Sequence, residues 1–305
     1  MWIVLAFLSA ALLGCYDVCK KTSLRDNAVI PVLFLNTVFC SLIFLPFIVG
    51  SAAGWIDSSS QLYVPACGWH EHRYIMLKAV IVLSSWILGY FAIKHLPLTI
   101  VGPINATRPV MTLVGALLIF GEELNLWQWA GVLLAIASFY LLSRSGKKEG
   151  IRFSHNRWIF FLVGAALLGA ASGLYDKFLV APAENGGIGI NKMVVQSWYN
   201  VYQCLIMAVI LILLWYPKRH TTTPFRWKWA IVFISIFLSL ADFAYFYALS
   251  YPDVMISIVS MVRRGSVIVS FLFGAMLFRE KNLRAKALDL LLVLLGMVCL
   301  WIGTH

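Results

Sequence analysis

Charge is scarce in this chain: of its 305 residues only 12% are Asp, Glu, Lys or Arg, while 61% are hydrophobic. A soluble domain carries about 25% charged residues, so this composition rules out a water-soluble globule and indicates a protein dissolved in lipid. Polar stretches long enough for a soluble domain are missing as well. Six cysteines, Cys15, Cys19, Cys40, Cys67, Cys204 and Cys299, form neither a disulfide framework nor a CxxC metal site, and only Cys67 falls outside an apolar run. His70-Glu71-His72 lacks the HExxH spacing and reads as a polar loop, so no metal is assigned. Neither HExxH nor GxSxG occurs, which argues against an enzyme, and no cofactor is implied. The first segment, from Trp2, has no basic leader and no small-x-small cleavage site, so it is expected to stay as a helix.

What the chain has is apolar runs of bilayer length. A span needs about 20 mostly apolar residues, and ten runs qualify: 2–21, 29–50, 73–93, 98–120, 126–143, 157–180, 193–216, 227–250, 253–278 and 284–303. Backbone amides cannot face hydrocarbon unpaired, so closely spaced runs of this length predict an all-α polytopic bundle of ten transmembrane helices. Trp127, Trp129, Trp158, Trp227 and Trp229 stand at span starts and read as interfacial anchors.

Lysine and arginine give the orientation, because cytoplasmic loops retain them. The odd-numbered connections carry Lys20, Lys21, Arg25, Lys94, Arg144, Lys147, Lys148, Arg152, Arg157, Lys218, Arg219, Arg226, Lys228, Arg279, Lys281, Arg284 and Lys286, seventeen of the 24 basic residues. Arg73, Lys78, Lys177 and Lys192 lie on the other side. Both termini are therefore expected outside, in a cytoplasmic membrane. The net charge of +11 reads as a topology signal and not as a nucleic-acid footprint.

Cutting the spans into two fives places the boundary at the basic connection 145–156, between repeats at 1–144 and 157–305. The halves match weakly. "LLGCYDVCKK" resembles "ASGLYDKFLV", setting Gly14, Tyr16 and Asp17 on Gly173, Tyr175 and Asp176. A second alignment sets Pro97 on Pro252 and Arg108 on Arg263, and a third sets Glu122 on Glu280. Five is odd, so the second repeat runs inverted, the construction of secondary transporters whose substrate site lies near the midplane.

These features together resemble the drug/metabolite transporter superfamily, specifically its EamA-type members. The likeness rests on two five-span repeats, short tails, a glycine late in the first and sixth spans, and Phe-x-Glu at Phe120–Glu122 and Phe278–Glu280. The chain departs from the family pattern in having Leu13-Gly14 where members show Trp-Gly, and in the outside termini that its charges predict. The resemblance implies basic residues around a substrate phosphate on the fourth and ninth spans, as in triose-phosphate translocators, where this chain has Arg108, Arg263 and Arg264. Trp198-Tyr199-Asn200 loosely resembles the aromatic-asparagine stretch of nucleotide-sugar transporters.

Those three arginines lie in mid-span, where a charge costs about 2.5–3.5 kcal/mol on insertion scales. Two readings relieve that cost. In one, they form buried ion pairs with Asp17, Asp176 or Asp242, of which Asp242 is the weaker candidate because Ile87 occupies the aligned position. In the other, they grip an anionic substrate through the two-pronged guanidinium. Tyr16, Tyr175, Asn105, Gln196, Tyr199 and Asn200 offer hydrogen bonds to such a cavity, and Asp17, Asp176 and Asp242 are candidates for a coupling proton. Glu122 and Glu280 read as loop organisers. Ser266, Ser270 and Gly274, and the pair Gly169/Gly173, read as close-packing faces. Prolines 31, 97, 103, 109 and 252 stand where they can bend spans.

The expected function is alternating-access transport of small organic anions, with the bilayer, the anion and a coupling proton or counter-substrate as partners. A broad exporter of amphipathic or zwitterionic metabolites is the alternative within transport, and a non-transporting receptor or lipid-handling protein the alternative outside it.

Overall fold

The computed structural model describes residues 2–111, 125–147, 153–180, 187–249, 262–278, 280 and 283–303. Among them the secondary structure is helical throughout: α1 Trp2–Leu24, α2 Val29–Ala52, α3 Trp69–His95, α4 Leu98–Ala106, α5 Leu126–Lys147, α6 Arg157–Val180, α7 Lys192–Ile210, α8 Ala230–Leu249, α9 Ser266–Leu277 and α10 Leu283–Gly303. Each predicted span holds one of these helices. Among the described residues six helices are long and apolar enough to cross a bilayer by themselves, and Ala230–Tyr245 is a shorter apolar one. A π turn, Leu211–Trp215, and a 3₁₀ turn, Tyr216–Lys218, prolong α7. Lys148, Arg152, Arg279, Lys281, Pro252 and Glu122 lie outside the described residues.

The bundle is apolar outside as well as inside. Phe7, Leu133, Phe160, Leu213 and Met276 are each at least 60% exposed, as lipid-facing residues are, since hydrocarbon solvates them. Trp127, Trp129, Trp227 and Trp229 are exposed at helix ends. Trp158 departs from the anchor reading: its ring stacks on His95 at 3.7 Å and on the Arg157 guanidinium at 4.5 Å, so it clasps the α3–α6 ends together.

Helix pairing follows the sequence repeat. α1 packs on α8 and α9, as α6 packs on α3 and α4; α2 packs on α8, as α7 packs on α3; and α2–α7, α4–α9 and α5–α10 pair with each other. Adding five to a helix number maps this set of packings onto itself, as a duplicated five-helix unit does. Lipid supplies no hydrophobic drive between helices, so close approach and interhelical hydrogen bonds hold them. A Cβ at Gly14 would stand 2.4 Å from the Val269 side chain, and one at Gly131 would stand 2.8 Å from the Gly296 carbonyl oxygen. Buried hydroxyls donate across two further seams, Ser9 to Ala241 O at 2.7 Å between α1 and α8 and Ser85 to Ala165 O at 2.7 Å between α3 and α6.

The predicted small-residue faces divide. Gly274 meets Leu98, with room for no more than 3.0 Å between their Cβ positions. Gly169 and Gly173 do not form the expected helix contact: a Cβ at Gly173 would meet nothing within 4 Å, and Gly169 faces the Arg108 guanidinium. Glu280 organises a helix start, accepting from Leu98 N at 2.7 Å, from Thr99 N at 2.9 Å and from the Thr99 hydroxyl. Its carboxylate thus satisfies free amides of the first turn of α4 and complements the helix dipole there.

Candidate functional site

The arginines come from two interrupted helices. Pro109 has no N–H to offer the Asn105 carbonyl, and α4 stops at Ala106, turns at Thr107 and resumes over 108–111. The Thr107 amide and hydroxyl both turn back to Ile104 O, at 3.3 and 2.7 Å. On the other side, residues 262–264 are helical, Gly265 turns with its amide on Val262 O at 2.9 Å, and α9 begins at Ser266. These tight turns place Arg108 just after one break and Arg263-Arg264 just before the other.

Each arginine has a different environment. Arg263 pairs with the Asp242 carboxylate of α8, and its guanidinium lies 4.4 Å over the Tyr245 ring. Arg108 donates to Asn105 Oδ1 at 3.1 Å and lies against Gly169 of α6, with Asp17 and Tyr16 of α1 facing it. The charges acting on Arg264 are those of Arg108 and Arg263, with Tyr245 also facing it. Among the described residues no acid forms an ion pair with Arg264.

The other two candidate acids are held by lysines that the sequence reading placed at helix ends or in a loop. Asp17 pairs with Lys20 at 3.1 Å, and Asp176 with Lys78 at 2.8 Å. Both ammonium groups also cover tyrosines: Lys20 lies 4.2 Å over Tyr16 and 5.2 Å over Tyr90, and Lys78 lies 4.6 Å over Tyr199. Lys20 and Lys78 are 7% and 8% exposed and Lys286 is 0% exposed, so Lys20 and Lys286 are buried groups and not the solvated loop charges the topology count took them for. The i,i+3 spacing of Asp17 and Lys20 was the available signal. Asp242, the weaker candidate in the sequence, is the acid that Arg263 uses.

Among the neutral candidates, Tyr199, Gln196 and Asn200 are buried on α7. Asn200 donates to Gln196 O at 2.7 Å and accepts on its own carbonyl from Ser41 at 2.8 Å. Tyr175 donates to Tyr74 O at 3.3 Å. Sequence reasoning missed a buried polar layer beside this group: Gln203, with both amide atoms unpartnered, Asn36 Nδ2 and the Ser197 and Ser239 hydroxyls. Among the described residues no three His, Cys, Asp or Glu gather as a metal set. His72 instead binds Tyr202 OH at 2.8 Å and Cys67 Sγ at 3.3 Å.

A cavity of about 540 Å³ opens at one end of α1, α3 and α9, lined by Lys21, Arg25, Asp26, Lys94, His95, Leu277 and Phe278. Lys21 closes the α3 C-terminus, donating to Ile93 O and Leu96 O at 2.6 Å.

The model of the EamA-like transporter family matches residues 1–144, the stretch that holds α1 to α4 and most of α5. An uncharacterized transporter of Archaeoglobus fulgidus is 24% identical over 147 residues, 48% of this chain and 49% of that protein. The match thus spans about half the length of that relative. A solved crystal structure superposes with a TM-score of 0.59 at 17% identity, covering 99% of this chain and 97% of the other, a likeness of fold alone.

Proposed function

We propose that this multi-pass membrane protein is a transporter of the EamA-like kind, whose family model matches residues 1–144, and that it carries small organic anions by alternating access. The observation that carries the reading is Arg264, set beside Arg108 and Arg263 with no acid partner among the described residues. Among the described residues Asp242 pairs with Arg263, and Asp17 and Asp176 with lysines, so Arg264 finds no carboxylate there, and a charge at this depth is costly unless an anion enters. Planar guanidiniums suit carboxylate or phosphate, which accept two parallel hydrogen bonds. The breaks at Thr107 and Gly265 put this charge where two helices bend, the construction of midplane sites in inverted-repeat transporters.

The test is uptake of labelled organic phosphates and carboxylates into proteoliposomes, with thermal shift on the purified protein. A transported anion should raise the wild-type melting temperature and leave Arg264→Ala unmoved, because binding stabilises only a state that keeps the site. Transport of zwitterions or amphipathic cations with no anion uptake would replace this reading by the broad exporter.

A further inference from the structure

Asp17, Asp176 and Asp242 already balance Lys20, Lys78 and Arg263. Asp289, which the sequence reading passed over, does not fit that pattern. It lies on α10, 1% exposed, and its Oδ2 accepts no hydrogen bond. The main chain at the same residue is well served, since Ser138 of α5 donates to Asp289 O at 2.9 Å. Lys286, one turn earlier and fully buried, is the charge acting on the Asp289 carboxyl, without forming an ion pair with it.

The helices around α10 bring no other charge to it among the described residues. On α5, Tyr140 is 64% exposed and Arg144 is exposed, both turned outward. On the α4 and α9 sides the apolar cluster consists of Ala106, Val267 and Phe271 with Leu290 and Val293. Ala106 immediately precedes the Thr107 break, and Val267 follows the Gly265 break by two residues. Leu290, the neighbour of Asp289, thus belongs to one apolar cluster with residues that flank both breaks.

We propose that Asp289 is the proton-binding residue that couples transport to a proton gradient. Its carboxyl O–H is held in this packed state and gives H⁺ to water on the other side when α10 shifts against the breaks in α4 and α9. The O–H bond breaks heterolytically, carboxylate remains beside Lys286, and no electrons are exchanged. A buried carboxyl whose Oδ2 accepts no hydrogen bond is cheaper neutral than charged, so proton loss is tied to the movement that brings it to water. This rests on the anion-transport reading, and it links substrate charge at the arginines to a compensating charge behind them.

The experiment compares anion uptake into proteoliposomes with and without an imposed pH gradient, for wild type, Asp289→Asn and Asp289→Glu. The expected result is a several-fold stimulation in the wild type, a ratio near unity in Asp289→Asn and recovery in Asp289→Glu. An Asp289→Asn ratio equal to that of the wild type overturns the proposal, as does wild-type exchange without any stimulation; both leave the anion reading standing. Absence of any anion uptake overturns that reading instead. A substrate-free measurement then decides on Asp289: an infrared carboxylic-acid band present in wild type, absent in Asp289→Asn and varying with pH supports proton binding, and no such band overturns it.

Discussion

The Arg263 guanidinium is bound to the Asp242 carboxylate, joining α8 to the turn that precedes α9, under the face of Tyr245. The pair belongs to one repeat alone, since Ile87 occupies the position aligned with Asp242. Arg108, the aligned partner of Arg263, binds a neutral amide, Asn105. The aligned arginines therefore differ in their neighbours, a carboxylate for Arg263 and the Asn105 amide oxygen among those of Arg108.

Breaking this pair should destabilise the protein more than deleting it. Arg263→Ala strands the Asp242 carboxylate in low dielectric, which costs roughly 3–5 kcal/mol. The double change Arg263→Met with Asp242→Leu removes both charges and should regain most of that loss. Thermal unfolding in detergent reads both, and an Arg263→Ala protein as stable as wild type would contradict a buried pair.

Arg264 should behave in the opposite way. Arg264→Ala removes a mid-span charge that has no acid partner among the described residues, so it should keep or raise thermal stability while uptake of the anion collapses. Arg264→Lys should be intermediate, holding the charge but losing the two-pronged grip. Equal uptake by Arg264→Lys and wild type would show that only charge matters.

The helices were legible because each is a long apolar run. The three arginines stood out because a charge inside such a run has no cheap explanation. Their partners did not. Asp242 sits 21 residues from Arg263 on another helix, and no local spacing ties the two. Lys78 was hidden for the same reason: Asp176 is supplied by α6 and the lysine by α3. Lys20 and Lys286 were misplaced because a lysine near a span end reads as a loop charge until the neighbouring helices bury it. The GxxxG at Gly169 was read as helix packing, the commoner use of that spacing, whereas the space is filled by an arginine from α4.

Topology gives a separate prediction. With basic residues on the odd connections, Cys67, or a tag after His305, should react with a membrane-impermeant reagent added to intact cells, while a probe at Lys147 stays protected until the membrane is opened. The reverse labelling would place both termini in the cytoplasm. Since Lys20 and Lys286 are buried, the assignment rests on the remaining basic residues of those connections.

Glu280→Ala should loosen the start of α4. It removes three hydrogen bonds, from Leu98 N, Thr99 N and the Thr99 hydroxyl, and the expected loss is about 1–2 kcal/mol by analogy with helix caps. Glu280→Gln keeps one acceptor oxygen and should lose less. Faster hydrogen exchange at Leu98 and Thr99 would localise the effect, and unchanged exchange there would rule out the cap as its origin.

The two glycines of α6 offer the sharpest contrast. A Cβ at Gly169 would stand 2.9 Å from Arg108 Cζ and Nη1, whereas one at Gly173 meets nothing within 4 Å. Replacing either glycine by alanine favours the helix by roughly 1 kcal/mol through backbone entropy, so Gly173→Ala should melt slightly higher and transport normally. Gly169→Ala gains the same helix term but pushes against a guanidinium at the far end of a flexible side chain. The fold should tolerate this, with a melting temperature near that of wild type, because the arginine can retreat by tenths of an ångström. Binding geometry should not: a misplacement of about 1 Å can cost roughly 100-fold in rate, and the smaller shift here should raise KM for the anion roughly tenfold. Gly169→Val should exaggerate the change. Identical uptake kinetics in Gly169→Ala and Gly173→Ala would mean that Arg108 does not touch the substrate, leaving Arg264 to hold it without help from the first repeat.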